Sequence, residues 1–235
     1  SHHATAEKRY YPLAQEVITG TYVGDYDYVL DLLDRCYFPT REGVANFHDN
    51  FVDALILAGE EKIAEGKVEQ AVTLYKKAFT YPENHQVFLV DERATHDAQI
   101  NYCLGEAYAA LGQDAEAEKY WKLAAEQDYE LKGSKDFRYW TGLALERLGR
   151  KAEAEAIFSA LVADGEAAVV TQHVNFYEGT TGVTVDIINS AAYYTQALGH
   201  LGLGHRGKAK RLFAEVQRLK PDHLWANEFM KQFEK

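Results

Sequence analysis

NYCLGEAYAALGQDAEAEKYWKLAAEQ, residues 101–127, reads as two short amphipathic helices joined by a glycine-containing turn. Leu104, Tyr108 and Leu111 recur at i, i+4, i+7 in the first half, and Ala117, Trp121 and Ala124 repeat that spacing in the second. Each half therefore carries one apolar stripe. Gly105 falls on the first helix, where glycine costs about 1 kcal/mol relative to alanine, so close approach of a neighbouring helix is expected there. A single helix hairpin cannot bury both stripes, and further copies must stack on it.

Used as a ruler, this stretch finds four more copies. In residues 10–38 a turn at Gly24-Asp25 is followed by Val29, Leu33 and Cys36 in the places of Ala117, Trp121 and Ala124, a degenerate first repeat. The loop Pro39 to Gly43 ends it, because the residue before a proline is pushed out of helical geometry. Residues 46–80 carry Gly59, Gly66, Ala71, Tyr75 and Ala78, and the third copy is 98–128. The fourth, 137–163, carries Gly142, Gly149, Ala154, Phe158 and Leu161, and the last, 190–221, closes on Pro221. Asp222 is expected to cap a final helix, 222–234, whose Leu224, Trp225, Phe229 and Phe233 cover the end of the stack. This is the tetratricopeptide pattern. It predicts an all-α fold, a TPR-like α-α superhelix of about five helix hairpins plus a C-terminal capping helix. The array is expected to be single over 10–235, behind a disordered, tag-like stretch at 1–9.

The period breaks twice. Ala117 and Ala154 are 37 residues apart, close to the usual repeat of about 34. Ala71 and Ala117, however, are 46 apart, and Ala154 and Ala209 are 55 apart. The first excess lies in 81–96, which has no helical period. The second lies in 164–188, where Val169, Val170, Val174, Phe176, Tyr177, Val183 and Val185 flank Gly179-Thr180-Thr181-Gly182. That pattern predicts extended structure around a turn and is too apolar for a disordered linker. Two readings stay open: a partner-facing element, or a loop folded back to plug the groove.

Composition narrows the function classes. With 36 acidic against 25 basic side chains and a net charge of −11, general binding to nucleic-acid phosphates is not expected. No apolar run approaches the roughly 18 residues that span a bilayer, and a cytoplasmic location is expected. Cys36 and Cys103 sit in apolar helical patterns and read as buried thiols. Gly202-Leu-Gly-His-Arg-Gly207-Lys208 mimics a phosphate loop, but Ala209 follows the lysine and no strand precedes it. It reads instead as the turn of the last repeat. His85, Asp91, Glu92, His96 and Asp97 lack the fixed helical spacing of a metal site, so solvated loop histidines and capping acids are expected, with no metal and no cofactor. The run from His205 to Lys220 interleaves a basic face with a buried stripe. Sixteen tyrosines exceed what the stripes require; each is either core with a wet hydroxyl or a binding anchor.

Three stretches go beyond the generic repeat: YFPTREG (37–43) with His48-Asp49, TYPEN (80–84) leading into YCLGEAYAALG, and YWTGLALERLGR (139–150) with the later LGHLGLG. They resemble the C-terminal tetratricopeptide region of large bacterial proteins that begin with an uncharacterised, carbohydrate-related β domain. The resemblance implies a fragment whose partner is its own missing N-terminal domain. The expected function is a non-catalytic scaffold that binds that domain, or another protein or peptide, through the concave groove and the insertions. His85, Phe88, His96, His173, Phe176, Tyr177 and Tyr193 are the candidate binding residues. The alternative is an accessory module that completes a carbohydrate-active site on the missing domain.

Overall fold

The computed structural model describes residues 10–38, 47–80, 82–85, 96–127, 135–171 and 185–234. Helices α1 (Tyr10–Val23) and α2 (Tyr26–Arg35) form a first hairpin, followed by α3 (Phe47–Ala64) with α4 (Val68–Lys77) and α5 (Asp97–Ala110) with α6 (Asp114–Ala125). A short 3-10 turn, Lys135–Phe137, leads into α7 (Arg138–Arg147) and α8 (Lys151–Ala168). Then come α9 (Val185–Gly202), α10 (Arg206–Leu219) and a closing α11 (Leu224–Lys231). The fold is all-α and TPR-like, five hairpins and a final helix among the described residues.

One device makes all five hairpin turns. Gly24, Gly66, Gly112, Gly149 and Gly204 hold φ between 69° and 79°, a left-handed conformation that costs glycine least. The residue after each glycine then donates its N–H to the carbonyl five positions back: Asp25 to Gly20, Lys67 to Lys62, Gln113 to Tyr108, Arg150 to Leu145 and His205 to His200, at 2.8–2.9 Å. This Schellman closure satisfies a carbonyl that the ending helix leaves without a partner. Gly204 and the fully buried Ala209 are thus turn and packing residues of the last hairpin, as their repeat positions imply.

The residues group into two compact units, 1–124 and 125–235. In the first, Leu13, Val17, Leu32, Leu33, Phe51, Leu55, Ile100 and Leu104 are buried at 0–1% exposure and form the apolar interior. A methyl at Gly105 would sit 2.3 Å from the Trp121 indole, and one at Gly59 would sit 2.2 Å from the Tyr75 ring. Gly105, predicted to admit a neighbouring helix, is the seat of the Trp121 ring, and Gly59 is likewise the seat of Tyr75. Trp121 also donates from Nε1 to Glu106, 3.1 Å away. Cys36 and Cys103 are buried free thiols, and burial pushes the Cys103 thiol well up.

The second unit is built around Phe158, which has no exposed surface. Its ring lies between Gly142 of α7 and Gly202 of α9. Helices α8 and α9 approach so closely that a methyl at Gly165 would be 2.6 Å from the Ala192 carbonyl, and one at Gly199 2.6 Å from the Phe158 carbonyl. Phe229 of α11 stacks on Phe213 at 5.2 Å and meets Tyr139 edge-on at 5.7 Å. Two expectations are corrected here. His223, not Asp222, caps α11, accepting from the Ala226 N–H at 3.2 Å through Nδ1. Residues 164–168 and 185–188 are helical rather than extended, because close packing of α8 on α9 favours longer helices. Val169, the residue that ends α8, has an extended backbone. Val174, Phe176, Tyr177, Val183 and the turn at 179–182 lie outside the described residues.

Candidate functional site

Both breaks in the period are pinned by an asparagine side chain. At the first, Asn84 donates from Nδ2 to the carbonyls of Leu33 (2.9 Å) and Cys36 (2.6 Å), and its own carbonyl accepts from the Phe38 N–H at 2.8 Å. Phe38 and His85 form a parallel bridge. His85 Nε2 lies 2.8 Å from the Leu33 carbonyl, which can only accept, so Nε2 carries the proton. The ring meets Phe38 and Phe51 edge-on, each at 5.0 Å. The last carbonyls of a helix have no partners within it, and here residues 84 and 85 of a sequence-distant segment supply them for α2.

Asn84→Ala removes the donor to two carbonyls near the end of α2. It is expected to cost about 1–3 kcal/mol in urea unfolding, with loss of amide-exchange protection at the C-terminal end of α2. Unchanged protection there would show that the clamp is not what fixes this segment.

The histidines of this region are buried, contrary to the expectation of solvated loop side chains: His85 is 5% exposed, and His48 and His96 are 8% exposed. The insertion turns inward at both ends, which no periodic pattern announces. Burial holds His48 down to about 4, with His96 and His85 adding repulsion and Asp49 pulling the other way. Burial also lowers His85, against the pull of its bond to Leu33. For His96, burial opposes the charge, but Asp49, at 3.5 Å, and Asp53 overcome it and raise its pKa. Burial thus decides the direction at His48 and His85, and at His96 the carboxylates outweigh it.

At the second break, Asn189 of α9 accepts from the Val170 N–H at 2.9 Å and donates to the Val170 carbonyl at 3.0 Å. This pair of hydrogen bonds, from one side-chain amide to the N–H and the carbonyl of one residue, ties the segment after α8 to the start of α9. Nearby Ile187 is 44% exposed. Tyr193, on α9, is half-buried against the core of the second unit.

Of the sequence candidates, the structure thus brings His85 and His96 into the buried region of the first unit and places Tyr193 in the second. Phe88, His173, Phe176 and Tyr177 lie outside the described residues. Asn84 and Asn189 were not singled out from sequence, since a lone asparagine between helices reads only as a turn former. Among the described residues no three or more His, Cys, Asp or Glu side chains are grouped to hold a metal ion. No described helix is long and apolar enough to cross a membrane.

No protein-family profile and no curated protein sequence matches the chain. Among solved structures it is similar to YrrB, described as a TPR protein with an unusual peptide-binding site. Identity there is 17%, over 94% of this chain and 92% of that one, with a TM-score of 0.33. It is also similar to MamA MSR-1 C2, at 17% identity over 85% of this chain and 94% of that one, with a TM-score of 0.32.

Proposed function

We propose that the chain is a non-catalytic protein-interaction scaffold, part of a larger protein, that binds its own N-terminal domain or another protein or peptide. The contact surface is the inner face of the first helices together with the insertions at 81–96 and 164–188. The observation that carries this reading is the pair of asparagine clamps. Each holds one end of an insertion to a rigid hairpin, at Leu33 and Cys36 in one case and at Val170 in the other. Segments held on a rigid scaffold are where binding specificity concentrates in repeat proteins, since the regular positions are spent on stacking. Residues 1–124 hold 21 of the 36 acidic and 11 of the 25 basic side chains, so the first unit favours a neutral or cationic partner surface.

The carbohydrate reading is less favoured at two of its four candidate side chains, because His85 and His96 are buried and engaged with Leu33 and Asp49, which leaves it to His173 and Tyr177. The test replaces residues 172–184 by a short Gly-Ser linker and measures binding to the polypeptide encoded upstream. Binding should fall while helicity by circular dichroism is kept. Binding that is unchanged in the helical variant would refute the assignment of 164–188 as a contact.

A further inference from the structure

We propose that His200 and His205 form a two-imidazole site for a divalent transition metal such as Zn²⁺, at the turn between α9 and α10. Their Nδ1 atoms are 3.3 Å apart and their ring centroids 5.5 Å apart. Two nitrogens bound to one tetrahedral zinc at about 2.0–2.1 Å must lie roughly 3.3–3.4 Å from each other. The separation is already that of a chelate; in the empty pair one Nδ1–H donates to the other Nδ1, so loading moves that proton to Nε2 and turns the rings until both Nδ1 lone pairs meet one ion. The backbone cannot drift, because the His205 N–H donates to the His200 carbonyl at 2.8 Å across Gly204.

The turn itself does not ask for histidine. The same closure in the other hairpins joins Gly20 to Asp25, Lys62 to Lys67, Tyr108 to Gln113 and Leu145 to Arg150. Only the last hairpin places two metal-binding side chains at these positions. His205 is exposed and His200 half-buried, so an ion reaches them from solvent, and water fills its remaining positions. Among the charges acting on His200, Lys208 outweighs Glu166. The site therefore attracts no cation by charge, and nitrogen donors without carboxylates select zinc, nickel or copper over magnesium or calcium.

The test is zinc titration of the full chain against a chromophoric chelator, compared with His200→Ala and His205→Ala. The second imidazole acts at the high effective concentration fixed by the turn, so losing either one is expected to weaken one zinc equivalent by roughly 100-fold. Mg²⁺ and Ca²⁺ should not compete. Circular dichroism should be unchanged, since both side chains sit at a surface turn. Zinc affinity unaltered in either single variant would overturn the proposal. So would an additive, partial loss in the two variants, which would mean two separate single-histidine sites, or competition by Mg²⁺.

Discussion

Replacing Phe158 by alanine is expected to destabilise the second unit by about 3–5 kcal/mol, read as a lower urea midpoint at unchanged slope. The ring is fully buried and touches the glycine faces of two helices at once. Its loss leaves a cavity that α7 and α9 cannot close without moving their backbones. The two glycines turn this into a sharper test. A methyl at Gly142 would lie 2.4 Å from Phe158 Cε1, and one at Gly202 would lie 2.3 Å from Cδ1. Pressed from both sides, the ring has no free direction in which to yield. Gly142→Ala is therefore expected to cost about 1–3 kcal/mol in the native background despite the roughly 1 kcal/mol that alanine gains over glycine in a helix. In the Phe158→Ala background the same methyl enters the cavity, and the substitution should become stabilising by about 1 kcal/mol. A Gly142→Ala cost equal in both backgrounds would show that the glycine answers something other than the ring.

That pairing of a small residue with a large one is also what made the fold legible. Gly105 with Trp121, Gly59 with Tyr75 and Gly142 with Phe158 each fall at one fixed spacing, because a helix approaching an aromatic ring must give up its Cβ there. Periodic burial thus wrote itself into periodic sequence, and the hairpins and their turns could be read off. The groups that pin the insertions could not. Asn84 and Asn189 work through one amide each on carbonyls far away in sequence, so nothing local distinguishes them from ordinary turn residues. Capping preference ranks aspartate well above histidine, so the sequence points to Asp222 as the cap. In the structure the imidazole wins, since it caps α11 and also packs on Tyr194 at 4.4 Å. The burial of the first unit's histidines is hidden in the sequence as Asn84 and Asn189 are, because it comes from segments that carry no period.

His223 supplies the other large expected effect, a loss of stability on acidification that a single substitution should remove. Burial first, and then Lys220, hold its pKa down to about 4, against weaker opposing pulls from its own backbone and Asp222. Its Nδ1 lone pair accepts the Ala226 N–H, so protonation there would break the cap as well as charge a half-buried ring. A base whose pKa is lower folded than unfolded takes up its proton more readily when unfolded. Its contribution is therefore complete above the unfolded value of about 6.5, declines as pH falls, and is fully lost below about 4. The most this can amount to is about 3 kcal/mol, at 1.4 kcal/mol per pH unit. His48 acts with the same sign in the first unit, whereas His96, whose pKa is raised, stabilises below about 6.5 and loses its contribution as pH rises through its folded value. A bulk acid titration mixes these opposing terms, so the difference between variants is the informative quantity. His223→Asn keeps a side-chain acceptor for the Ala226 N–H and cannot titrate. Urea midpoints of the variant and the parent should nearly coincide at pH 7.5 and separate toward pH 4, with the variant the more stable. Parallel pH profiles would mean that His223 takes up its proton in the folded chain as readily as in the unfolded one, and that the cap on α11 does not depend on a neutral ring.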